Sequence, residues 1–176
     1  MCTGVLRQLE GIANTYLDIL ADGGIQLSLE SDENADRIVK SVLIRTSDGN
    51  FRERALSQLS GGQWRRVSLA LDFSFAEIIR RRGTLRSNLI VLDEILTHLD
   101  ASGREAVGTL LRRMLSASSS LSNNAVVTDL NSAGPYETVL VILQDLAATE
   151  LEEAFDHIDV VYKEKDVSKV IIDGGM

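Results

Sequence analysis

A chain of 176 residues with 44% hydrophobic and 25% charged content can bury one substantial core. Its formal charge of −8 disfavours a large, uniform nucleic-acid surface, and its single cysteine, Cys2, excludes an internal disulfide framework; with only His98 and His157 beside it, no structural zinc spacing is present. No apolar stretch reaches membrane-spanning length, and the first residues lack the basic and apolar regions of a signal peptide, so the composition reads as a soluble intracellular domain.

Residues 1–22 read as an amphipathic helix in which Cys2, Val5, Leu9, Ile12, Tyr16 and Ile19 recur at alternating three- and four-residue steps. Two readings fit that seam: the end of a coiled coil, or an ordinary helix packing on its own domain. Gly23-Gly24 stops it. Ile25, Leu27 and Leu29 then alternate with polar residues, Val42 and Ile44 repeat the pattern, and Ser47-Asp48-Gly49-Asn50 is a turn, which together predict a small antiparallel sheet. A helix is expected from Gln63 to about Arg82, with Val67, Ala70, Leu71, Ser74 and Ile78 on its inner face. Leu89 to Leu92 is a continuous apolar run, the pattern of a strand covered on both faces. A further helix spans about Ser102 to Leu115 with Val107, Leu110, Leu111 and Met114. Ser116 to Tyr136 reads as a long loop, Val139 to Leu143 as a second apolar strand and about Glu150 to Asp156 as an acidic helix. Val160 to Tyr162 and Val170 to Ile172 read as a terminal hairpin. Strand and helix alternate from Leu89 onward, so the fold class is α/β, a mixed sheet flanked by helices.

Two segments carry chemistry. Leu59-Ser60-Gly61-Gly62-Gln63 is a glycine turn opening onto a helix, with Ser60 at the cap position and no side chain at 61 or 62 to block approach. The free N–H groups of such an end can hold an anion. Leu92-Asp93-Glu94 then puts two carboxylates at the end of an apolar strand, where one can orient a metal on phosphates and its neighbour can polarise a water. A phosphate loop of the form G-x-x-x-x-G-K-S/T is absent, since no glycine here precedes a lysine.

In that order, and followed by Leu99-Asp100, these segments resemble the signature motif, Walker B strand and D-loop of ATP-binding-cassette (ABC) ATPases. With Tyr16 to Leu20, the short sheet, Asp48-Gly49 and Arg52 ahead of them, the chain is most similar to the C-terminal ATPase lobe of the structural-maintenance-of-chromosomes (SMC) family. Within it, the closest likeness is to the double-strand-break-repair and SbcC-type branch. The resemblance covers nearly the whole chain, with residues 23–176 as the lobe. It implies the C-terminal half of an ABC/SMC-type P-loop NTPase head, in which the phosphate loop lies on a separate N-terminal lobe.

The same resemblance implies ATP and Mg²⁺ at a composite site. Ser60, Gly61, Gly62 and Gln63 would contact the γ-phosphate of ATP held by the opposite subunit, with Asp100 at the dimer interface. Asp93 would support Mg²⁺ and Glu94 would activate the hydrolytic water. Gln144 stands where the family carries its switch histidine; it can hydrogen-bond phosphate or water but carries no positive charge, so hydrolysis would be slow or the switch altered. The implied partners are the Walker A lobe, a second head subunit, DNA in the assembled complex and, in the repair branch, a nuclease subunit; no membrane is implied. Arg80 to Arg82 form the densest basic run, with Arg65-Arg66 and Arg112-Arg113 as others, and are the candidate DNA-backbone contacts. Two other functions stay open: a transporter nucleotide-binding fragment, and a non-catalytic interaction module that keeps the fold.

Overall fold

An apolar stripe and two polar side chains hold the first helix, α1 (Cys2–Leu20), against its own domain. The computed structural model describes residues 2–32, 37–83, 87–116, 136–144 and 155–172. The buried stripe of α1 is Leu6, Leu9, Ala13, Tyr16, Leu17 and Leu20. Of the expected heptad seam it contains Leu9 and Tyr16; Val5 is exposed, Ile12 and Ile19 are half-buried, and the Cys2 side chain lies outside what is described. Asp22 and Gly23 then adopt positive φ, and Gly24 N–H donates to Ala21 O at 2.8 Å. A Cβ at Gly24 would stand 2.9 Å from that carbonyl, so the stop needs glycine there.

β1 (Ile25–Asp32), β2 (Arg37–Arg45) and β3 (Phe51–Ala55) form an antiparallel sheet in that order, as the alternation predicts, with Leu27 opposite Val42. Ile25, Leu27, Leu29 and Val42 are buried, so one face joins the core. Asp48 shapes the turn between β2 and β3: it accepts from the Thr46 hydroxyl and from Asn50 N–H, bonds that hold its carboxyl below the usual carboxylate range. Along the outer edge of β1, Asn14 donates to Leu27 O at 2.9 Å and accepts from Leu27 N–H at 2.7 Å. Glu10 accepts from Leu29 N–H at 2.7 Å.

α2 (Gly61–Arg81) buries Val67, Leu69, Ala70, Phe73, Ser74, Glu77 and Ile78; Leu71, expected on this face, is half-buried. Its Phe73 ring lies 5.7 Å from that of Tyr16. Near its end, the buried Glu77 carboxylate takes Arg81 Nε at 2.7 Å and also pairs with Arg80, whose guanidinium sits 5.3 Å above the Tyr136 ring. Burial, and then the neighbouring Glu77 and Tyr136, push the Tyr16 hydroxyl up, so it stays neutral in the core. Arg80 and Arg81 are thus turned inward to Glu77 rather than presented together with the exposed Arg82 as a DNA-facing patch.

β4 (Leu89–Asp93) and β5 (Thr138–Ile142) pair in parallel, with α3 (Ala101–Ser116) between them in sequence. Val107, Leu110 and Leu111 of α3 complete the core with α1 and α2. The expectation that β4 is covered on both faces is not met: Val91 is 51% and Leu140 50% exposed, on one face with Leu89 and Ile142. Among the described residues the parallel sheet has two strands, and on that face these four apolar side chains remain about half exposed.

These elements belong to one unit, Met1–Leu143; Gln144–Met176 is a second. Within the second, β6 (Asp159–Glu164) and β7 (Val167–Ile172) form the expected antiparallel hairpin. Its two-residue turn, Lys165 and Asp166, has positive φ at both positions, which matches the strand twist. Most of the long loop at 116–136 and of the helix at 150–156 expected from sequence lies outside the described residues.

Candidate functional site at the start of α2

Ser60 is extended and caps α2 through a reciprocal pair of bonds: its Oγ accepts from Gln63 N–H at 3.2 Å, and its own N–H donates to Gln63 Oε1 at 3.0 Å. That capping box fixes the helix start and occupies the Gln63 carbonyl oxygen. The N–H groups of Gly61 and Gly62 have no intrahelical acceptor and point out of the helix end. Neither glycine has positive φ. A Cβ at Gly61 would meet His98 Cβ at 4.0 Å, and one at Gly62 would meet His98 O at 3.4 Å, both ordinary contacts. Internal packing therefore does not demand glycine here; the missing side chains keep the outside of the helix end open.

The turn that follows β4 packs against this end. Asp93 is the last residue of the strand and is exposed, while Glu94 continues the ladder by donating its N–H to Ile142 O at 2.9 Å. Glu94 and His98 both adopt left-handed φ, at 50° and 67°, and between them Ile95 and Leu96 turn inward to the core. Thr97 N–H closes the turn on Glu94 O at 3.2 Å. His98 is exposed and lies beside the open sides of Gly61 and Gly62, where an added Cβ would meet it.

Two arginines of one of the basic runs, Arg65 and Arg66, hold this arrangement. Arg65 donates to Glu94 O at 3.0 Å and Ile95 O at 3.2 Å. Arg66 reaches the other end of the turn, 2.6 Å from Asp100 Oδ1 and 3.2 Å from Ser102 Oγ. Asp100 in turn caps α3, accepting from Gly103 N–H at 2.9 Å. That amide, and after it the Arg66 charge and the Ser102 hydroxyl, hold the Asp100 carboxyl below its ordinary value. A Cβ at Gly103 would lie 2.9 Å from both the Arg66 guanidinium and the Asp100 carboxylate, so a larger residue there would displace that pair. The spacing Asp100-x-x-Gly103 ahead of an apolar-periodic stretch was the signal available for this cap.

The structure thus brings Ser60, Gly61, Gly62 and Gln63 beside the turn carrying Asp93, Glu94 and Asp100. Gln144 is exposed and begins the second unit, so it is not placed relative to them. Among the described residues no three His, Cys, Asp or Glu side chains come together as a metal cage. An exposed carboxylate at a strand end fits Mg²⁺, which commonly takes one or two protein carboxylates and completes its shell with substrate phosphates and water. No described helix is long and apolar enough to cross a membrane.

No family model matches the chain. It is 29% identical over 144 residues to the hemin import ATP-binding protein HmuV of Aliivibrio fischeri, covering 81% of this chain and 52% of that protein. It is 27% identical over 106 residues to probable exonuclease subunit 2 of Escherichia phage T5, covering 60% of this chain and 16% of that protein. The chain therefore spans about half the length of the first relative and far less of the second. Among solved structures, one from work on ATP-driven dimerisation and DNA-stimulated activation of SMC ATPases superposes with a TM-score of 0.65 at 16% identity, covering 97% of this chain and 86% of that one. The small antiparallel sheet, the glycine-opened helix and the parallel strands between helices are the fold of an ABC/SMC-type ATPase head.

Proposed function

We propose that this chain is the C-terminal lobe of an SMC-like ATPase head, completed by a separate lobe bearing the phosphate loop and dimerising around ATP. The observation that carries this reading is the packing of an open, serine-capped helix end against the Asp93–Glu94 strand end through one short turn. Ser60, Gly61, Gly62 and Gln63 take phosphate oxygens of the nucleotide presented by the second head. Asp93 holds Mg²⁺, which supplies charge compensation on the phosphates. Glu94 accepts a proton from the water that attacks in line, and Asp100 stays at the subunit junction. Gln144, which by the family likeness would stand at the switch position, offers a hydrogen bond but no charge, which would make hydrolysis slow or alter the switch. The uncovered apolar face of Val91 and Leu140 is what a missing lobe would cover.

Work on DNA repair or chromosome maintenance, with DNA and a nuclease subunit as partners, is supported by the likeness to SMC heads and to the phage exonuclease subunit. A transporter nucleotide-binding fragment is the second reading, favoured by the similarity to the hemin import protein over most of this chain.

Calorimetric titration of Mg-ATP into this chain, alone and mixed with a candidate phosphate-loop lobe, tests the reading. Binding only in the mixture is expected. Tight binding by the lone chain would overturn the split site, and a complex with a membrane domain in place of DNA would favour the transporter reading.

A further inference from the structure

We infer that Arg65 is the positioning residue for Glu94, joining the phosphate-facing end of α2 to the water-activating carboxylate; this rests on the ATPase reading above. Glu94 sits at φ 50°, a conformation that is unfavourable for a residue with a side chain and persists only where its surroundings hold it. Its backbone is held on both sides. The N–H is taken by Ile142 O of β5 at 2.9 Å, and the carbonyl by Arg65 Nη2 at 3.0 Å, with Arg65 Nε reaching the next carbonyl, Ile95 O, at 3.2 Å. Two successive carbonyls received by one rigid fork define an orientation, which a single point donor does not. Thr97 N–H shares the Glu94 carbonyl, so the whole turn from Glu94 to Leu99 depends on this hold.

Arg65 lies two residues beyond Gln63 on the same helix. Any displacement of the α2 end as it meets a phosphate carries the guanidinium with it, and with the guanidinium the Glu94 backbone. In a dimer where that helix end faces one nucleotide and Glu94 serves the other, Arg65 makes the two sites interdependent. Arg66 does not substitute for it, because its contacts go to Asp100 and Ser102.

The test has two arms. In this chain alone, amide hydrogen exchange at Thr97 and Leu99 should rise about tenfold in Arg65→Ala, in line with loss of hydrogen bonds from a charged donor, while amides of α1 and β1 stay as in the wild type. In the head assembled with a phosphate-loop lobe, kcat should fall about 10²-fold with KM for ATP within about twofold, the signature of a misplaced rather than an absent group. Arg65→Lys should recover part of both effects. Unchanged exchange at Thr97 and Leu99 would overturn the proposal whatever the activity. Faster exchange with wild-type kcat would overturn it too, leaving Arg65 a merely structural tie. An assembled wild-type head that binds ATP and never hydrolyses it would instead overturn the reading of Glu94 on which the proposal stands, a failure visible without any Arg65 variant.

Discussion

Arg66 and Asp100, 34 positions apart, meet at 2.6 Å and lock the start of α3 to the first turns of α2. The Asp100 carboxyl is held below its ordinary value, so it contributes stability that is complete above the unfolded carboxylate pKa of about 3.9 and is lost as pH falls through the lower folded value. Asp100→Asn keeps an oxygen for Gly103 N–H and removes the charge. It should cost under about 1 kcal/mol at neutral pH, because the carboxylate is largely exposed, and should flatten the acid limb of stability. Urea melts from pH 3 to 7 read both effects.

Glu94→Gln keeps the shape of the side chain and removes its basicity. Hydrolysis by the assembled head should fall by two orders of magnitude or more, on the scale of about 10²–10⁴ for general-base catalysis. ATP-driven dimers should persist and accumulate, which size-exclusion chromatography with ATP would show. Rapid turnover in this variant would remove Glu94 from its role.

Glu77 is buried among groups that need its charge. It receives Arg80 and Arg81 from the next turn and lies near the neutral Tyr16. Glu77→Ala removes the carboxylate from between two guanidinium groups and should destabilise the fold by about 3 kcal/mol, the lower part of the range for breaking a buried pair, since Arg81 reaches water more readily. Equilibrium unfolding in urea measures it. A change under about 1 kcal/mol would mean that the arginines find other acceptors cheaply.

Leu140 stands on the uncovered face of β5 at 50% exposure. Leu140→Glu should leave the lone chain within about 0.5 kcal/mol of wild type, as expected for a surface change. It should abolish association with a phosphate-loop lobe, since the charge would be buried there without a partner. Melting of the chain and pull-down of the lobe separate the two expectations.

Much of the site was legible in the sequence because its features are local. Ser60 with Gln63 three residues on is a cap written in spacing, and Asp93-Glu94 at the end of an apolar run announces a strand end. The alternation of Ile25, Leu27 and Leu29 gave the right strand with the right face. What was not legible depended on partners distant in the chain. The apolar residues of α1 span a wide arc, and periodicity alone does not say which part of it meets the core; the contacts of Glu10 and Asn14 with β1 choose the side of Leu6, Ala13 and Leu17. The inward turn of Arg80 and Arg81 follows from Glu77, which reads as a surface residue by composition. The openness of β4 is invisible in its apolar run, since residue type alone does not say whether one face of a strand or both are covered.

The side chains of Asn14 and Glu10 occupy backbone groups of β1 that a neighbouring strand would otherwise use. At Leu27 and Leu29 the outer edge of β1 is therefore taken, while β3 forms the other edge of the three-stranded sheet, with residues Phe51 to Ala55 all exposed. The helix thus acts as a stop at Leu27 and Leu29, where a strand arriving from elsewhere would find the backbone already engaged.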